Sequence, residues 1–168
     1  MSIFEFLKIN MMKIKKDVDG LIQLLKHGKD ISERSNAALA LGEIGDKRAV
    51  IPLIKTLDEK DYKIKREVVY ALGKIGDTRA IEPLDKIINE MKGKMKVGEW
   101  MHETLGDNYG MLIPKLKQDT DNYSDIYKSA QEAIRAIKRK KWENIPKNDR
   151  YFLKQCENLS YLRKRAHG

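Results

Sequence analysis

Apolar residues recur at helical spacing along most of the chain, with polar residues between them. Ala37, Ala38, Leu41 and Ile44 mark one face of a helix running roughly from Glu33 to Ile44, because residues three and four apart share a face. The preceding stretch Asp30-Ile31-Ser32-Glu33 reads as a capping box, with Asp30 as cap and Glu33 reaching back. Gly45 stops the helix, since glycine accepts the left-handed conformation without steric cost. Asp46 then caps a second helix, packed through Leu53, Ile54 and Leu57. The whole pattern returns 31 residues later. Ala40-Leu41-Gly42 recurs as Ala71-Leu72-Gly73, Ile44-Gly45-Asp46 as Ile75-Gly76-Asp77, and Arg48-Ala49 as Arg79-Ala80. Leu84, Ile87 and Ile88 complete the later second helix, while Ala38, Ala40 and Ala71 let helices approach closely. Pro52, Pro83 and Pro114 keep the same 31-residue spacing. Proline in a helix interior costs about 3 kcal/mol, so the placement of Pro52 and Pro83 predicts a shared bend or a short turn before the main helix. A fixed period of this length marks stacked repeats, each burying its face against its neighbours.

The frame persists beyond the two clear units. Leu105-Gly106-Asp107 echoes the earlier punctuation, and Leu112-Ile113-Pro114 falls back into step. A shift of 62 maps Ile64, Ala71, Leu72 and Ile75 onto Ile126, Ala133, Ile134 and Ile137. Residues 93–118 are therefore expected to be a degenerate repeat, with Gly93 and Gly98 weakening its first helix; the alternative is a mobile loop. Upstream, Val18, Leu21, Ile22, Leu24 and Leu25 read as the second helix of an incomplete leading unit. Residues 1–16 carry Ile3, Phe4, Phe6, Leu7 and Met11, then Lys13, Lys15 and Lys16. Such a basic amphipathic helix either covers the apolar edge of the first pair or lies weakly on an anionic membrane; the cap is preferred. Residues 17–138 hold the repeats. Residues 139–168 form a basic capping region, in which Tyr151, Phe152, Leu153, Leu159 and Leu162 close the stack.

The pattern at Ala40–Leu53, repeated at Ala71–Leu84, resembles the phycobilisome-lyase-type HEAT-like repeat. The match is specific over about residues 30–91 and weaker to 138. The opening Ser2-Ile3-Phe4-Glu5-Phe6-Leu7-Lys8 is similar to that of small prokaryotic, often archaeal, HEAT-repeat proteins of unknown role. The resemblance implies an all-α HEAT-like solenoid of about four to five antiparallel helix pairs, with second helices lining a concave face. It does not imply one activity.

Composition narrows the setting. The 168 residues are 35% charged and 41% hydrophobic, as in a folded domain with a sizeable core. Cys156 is the single cysteine, so no internal disulfide forms and a reducing, cytoplasmic setting is expected. No leading secretory pattern or apolar run of membrane-spanning length is apparent. The net charge is +9, of which residues 91–168 supply +7. Arg135, Lys138, Arg139, Lys140 and Lys141 form the densest cluster, followed by Arg163, Lys164 and Arg165. Such a cluster either attracts phosphates or acidic surfaces, or serves as a solvated face.

Catalytic patterns are scarce. Deoxyhypusine hydroxylases, built from similar repeats, hold iron with His-Glu pairs seven residues before the glycine of the Leu-Gly pair. Here those positions hold Ser35-Asn36 and Arg66-Glu67, and the shifted unit has Lys128-Ser129; none supplies the imidazole such a site needs. His102-Glu103 stands alone, and His27 and His167 are isolated. Bilin lyase-like activity would need a bilin and an antenna protein, which the repeat alone does not establish. No metal or cofactor is expected. The primary expectation is a non-catalytic scaffold holding a protein partner on its concave face, through Arg48, Lys55, Arg79 and Lys86 at repeat-equivalent places. Arg48 and Arg79 could instead bond the preceding loop. The alternative is nucleic-acid binding through Arg135, Lys138, Arg139, Lys140, Lys141 and Trp142, where Trp142 beside a basic run could stack a base, as in HEAT-like DNA glycosylases. Trp142 could equally anchor the last helix, and Trp100 reads as core or interface.

Overall fold

A computed structural model describes residues 3–105, 114–146 and 150. Seven α-helices account for nearly all of them: α1 (Ile3–Ile14), α2 (Val18–His27), α3 (Ile31–Ile44), α4 (Val50–Thr56), α5 (Tyr62–Ile75), α6 (Ile81–Leu105) and α7 (Pro114–Glu143). No strand occurs among the described residues. The odd-numbered helices pack side by side in the order α1, α3, α5, α7. The helices α2, α4 and α6 form a second layer, each packed against the odd helix that follows it. One core runs between the layers, from Val18, Leu21 and Leu25 through Leu41, Leu53 and Leu72 to Leu84, Ile126 and Ile137. The described residues thus form an all-α HEAT-like solenoid.

The local punctuation follows the residues that predicted it. Asp30 Oδ1 accepts the Glu33 N–H at 2.7 Å, and the Glu33 carboxylate accepts the Lys29 N–H at 2.7 Å, one residue earlier than a regular capping box would have it. Gly45 and Gly76 sit at φ 75° and 77°, each donating its N–H to the carbonyl four residues back. Asp46 and Asp77 then cap single 3-10 turns, Lys47–Ala49 and Thr78–Ala80, before α4 and α6 begin. Those turns are the short leading turns that the prolines predict. Pro52 and Pro83 occupy the third positions of α4 and α6, where a helix has no intrahelical acceptor for an N–H, so the cost of an interior proline does not arise.

The structure parts from the expectation of a separate degenerate repeat at 93–118. Residues 93–105 simply continue α6. Glycine weakens a helix by about 1 kcal/mol but does not end it; no proline or cap interrupts this stretch, and Lys94 pairs with Glu90 one turn back at 2.6 Å. Gly98 instead lies close against Thr120 of α7. Residues 62 apart are therefore spatial neighbours: α7 follows α5 directly, and Ile126, Ala133, Ile134 and Ile137 are buried as Ile64, Ala71, Leu72 and Ile75 are. The described residues make three helix pairs and the closing α7, against the four to five pairs expected. The echoes at Gly106-Asp107 and Leu112-Ile113, the closing segment from Tyr151 to Leu162, Cys156, Arg163–Arg165 and His167 lie outside the described residues.

Candidate partner-binding surface

The repeated Gly-Asp-x-Arg segments build a ladder of clamps along one edge of the stack. Asp46 turns back to accept the Arg48 N–H at 2.8 Å and takes the Arg48 guanidinium at 3.1 Å. Arg48 also reaches Asp19 of α2 at 3.2 Å. One period on, Asp77 accepts the Arg79 N–H at 3.0 Å and the guanidinium at 2.9 Å, while Arg79 Nη2 donates to the Lys47 carbonyl at 3.3 Å. Each arginine thus closes its own loop and touches the unit before it. Of the two readings the sequence left open, these bonds match the one in which Arg48 and Arg79 hold the preceding loop.

The clamp leaves an electrostatic signature. The Arg79 side chain, against the opposing effect of burial and with help from the Arg79 N–H, draws the Asp77 carboxyl from 3.8 down to about 2. The Arg48 N–H, then its side chain, lowers the Asp46 carboxyl in the same direction. A depressed folded-state value stabilises the fold above the unfolded value and loses that contribution as pH falls through the folded one. Acidification from about pH 4 to about pH 2 should therefore weaken the fold through Asp77. Because water screens the half-exposed Arg79, the Asp77 share is about 1 kcal/mol at most. Urea melts of Asp77→Asn against the native chain should show a shallower acid slope in the variant; equal slopes would remove the clamp from the account.

A second ladder, which the sequence reading missed, ties the two layers together. Arg34 Nε donates to the Leu25 carbonyl at the end of α2 at 2.8 Å, and its guanidinium pairs with Glu59 before α5. One period later Lys65 pairs with Glu90 at 3.6 Å. The signal was present as basic residues at 34 and 65 and glutamates at 59 and 90, both 31 apart.

The remaining expected contacts fall on different surfaces. Lys55 is exposed on α4, beside the exposed Ile51. Lys86 is exposed on α6 and pairs with Glu82 at 3.2 Å. Arg135, Lys138, Arg139 and Lys141 are exposed on the last turns of α7, and Trp142 is half-buried. Lys140 is diverted from that group: its ammonium donates to the Lys74 carbonyl at 2.6 Å and lies 3.4 Å from that of Ile75, capping the C-terminus of α5 where cations are favoured. The basic run thus points in several directions, as consecutive residues on a helix must. Trp100, expected as core or interface, is exposed on α6. Grooves lie between odd helices. One of about 290 Å³ between α5 and α7 is lined by Asp61, Lys63, Arg66, Asn122 and Asp125. Near it, Tyr62 and Tyr123 meet edge to face with hydroxyls 2.9 Å apart; burial, then the Tyr62 hydroxyl, pushes the Tyr123 phenol up.

At the positions where a hydroxylase would hold iron, Ser35 donates to the Ile31 carbonyl and Arg66 pairs with Glu67. No cluster of three or more His, Cys, Asp or Glu side chains suited to a metal ion occurs among the described residues. Residues 18–93 match the family model of HEAT repeats, from the start of α2 to Gly93 within α6. The match is to HEAT repeats in general, without the phycobilisome-lyase or archaeal distinction. No curated protein shows a significant match to the chain.

Proposed function

We propose that the protein is a non-catalytic HEAT-repeat scaffold that holds a protein partner on the exposed face of its second helices. HEAT repeats commonly serve as interaction scaffolds, and residues 18–93 match them. The observation that carries the reading is the pair Lys55 and Lys86, exposed on α4 and α6 at matching repeat positions, with Ile51 exposed beside Lys55. The Asp–Arg clamps hold the loops leading into α4 and α6, so the face is pre-organised and little ordering entropy is lost on binding. Arg48 and Arg79 then serve the scaffold rather than the contact. In a pull-down from native lysate, a discrete protein should survive nuclease treatment. Ile51→Asp combined with Lys55→Glu should lower its recovery about tenfold or more, as loss of one interface anchor does, without changing the melting temperature. Equal recovery by native chain and variant would move the contact off this face.

Nucleic-acid binding is the second reading, supported by exposed Arg135, Lys138, Arg139 and Lys141 on α7. It requires recovery that vanishes with nuclease and an affinity falling steeply with salt, by about 0.9 log units per log unit of salt for each phosphate neutralised.

A further inference from the structure

The helix α1 carries two apolar faces, and the fold uses one of them. Ile9 is buried at 6% exposure, and Met12 packs partly against the core. Lys13 fixes the same side through Glu43 of α3 at 2.7 Å. The other side presents Leu7, Met11 and Ile14, with 53%, 50% and 73% of their surfaces exposed. Their spacing of four and three residues makes one continuous ridge. Lys8 and Lys15 stand three residues before and four after Met11, so both line one edge of that ridge. Lys15 keeps helical geometry, its N–H donating to the Met11 carbonyl at 3.0 Å. Both lysines and the following Lys16 are exposed. Glu5, the one acid of the helix, lies two residues before Leu7, on the opposite side of the helix, and is half-buried.

We infer that this ridge docks on an anionic lipid bilayer. The charge pattern selects the occupant: an apolar line with lysines along one edge, and with the helix's one acid on its far side, complements a surface of negative headgroups over hydrocarbon. A protein surface would need to supply both an apolar groove and a one-signed acidic rim. The 12-residue helix is about 18 Å long, too short to cross the hydrocarbon layer, and no helix among the described residues is long and apolar enough to do so. The helix would therefore lie in the interfacial plane, with Leu7, Met11 and Ile14 between the headgroups and the inner face still on α3. This surface is separate from the one formed by Ile51, Lys55 and Lys86, so either proposal can fail alone.

The test is co-sedimentation of the full chain with vesicles of equimolar phosphatidylcholine and phosphatidylglycerol, against vesicles of phosphatidylcholine alone. Binding should be confined to the anionic vesicles and fall with salt. Lys8→Gln with Lys15→Gln should weaken it about thirtyfold, and Leu7→Ser, Met11→Ser, Ile14→Ser together on the order of a hundredfold. All five positions are exposed, so thermal melts of both variants should match the native chain; a lowered melt in the triple variant leaves the lysine pair as the deciding comparison. Absence of binding to anionic vesicles would overturn the inference. So would binding unchanged by both variants, which would assign it to the basic C-terminal half. Self-association in sedimentation velocity that the triple variant abolishes, without vesicle binding, would replace the bilayer with a second copy.

Discussion

Gly42→Ala is expected to lower the free energy of unfolding by about 2 kcal/mol, while Gly93→Ala raises it by up to about 1 kcal/mol. Both glycines lie inside helices, where alanine ordinarily gains about 1 kcal/mol by reducing backbone freedom in the unfolded chain. What separates them is the opposite wall. A Cβ on Gly93 meets nothing within 4 Å. One on Gly42 would lie 2.6 Å from the Ala71 Cα and 2.9 Å from its Cβ. Backbone cannot rotate aside, so α3 and α5 must separate along their shared face and loosen every buried contact between them. The next rung repeats the geometry less severely, with a Cβ on Gly73 lying 2.9 Å from the Ala133 Cβ and 3.0 Å from its Cα. Gly73→Ala should fall between the two extremes. Urea unfolding of the three variants gives the order directly, with melting temperatures moving about 2–4 °C per kcal/mol. If Gly42→Ala stabilises as much as Gly93→Ala does, α3 and α5 do not pack glycine against alanine. Ala71→Gly added to Gly42→Ala should recover only part of the loss, because the Ala71 Cα remains in the way.

The second large effect concerns the buried lysine. Glu90→Ala should cost about 2–3 kcal/mol, and Lys65→Met should lie within about 1 kcal/mol of the native chain. Lys65 is 6% exposed and Glu90 39%, so removing the carboxylate strands a cation with little water around it. Removing the cation while keeping its stem leaves an exposed carboxylate that Lys94 still neutralises at 2.6 Å. The titration of Glu90 reflects this balance. Burial, the largest single influence, pushes its carboxyl up, but Lys94 and Lys65 together hold it below the usual value. The full 3–5 kcal/mol of a broken buried pair is not expected, since Glu90 is partly solvated. Guanidinium melts of both variants at neutral pH test the asymmetry. Equal losses would mean that the pair itself, rather than the stranded lysine, carries the energy.

Much of this was legible in the chain because it is local. Asp30, Gly45, Asp46, Gly76 and Asp77 act within four residues of themselves, by capping or by accepting positive φ, and a 31-residue echo exposes them without any fold in hand. The same echo placed the core residues of α3 to α6. It also marks the pairs Arg34–Glu59 and Lys65–Glu90, but a charge that recurs at the repeat spacing does not by itself show which acceptor its long side chain reaches.

The sequence by itself determined the helix ends at Gly45 and Gly76, the repeat and the buried face of each clear unit, since these depend on backbone geometry and on water's rejection of apolar area. Tertiary structure alone decided which units are neighbours. Repeat count along the chain suggested a unit between Leu72 and Ile134, yet Gly73 meets Ala133 across one interface, and residues 93–105 extend α6 instead. It also decided what the exposed-looking cations do. Arg48 and Arg79 close loops, Lys140 caps α5, and Lys65 is buried, because a long side chain commits to whichever acceptor the stack brings within reach. The outer face of α1 is the converse case: its apolar pattern is local, but its exposure follows from the stack, which offers α1 a neighbour on its inner side and leaves Leu7, Met11 and Ile14 facing outward.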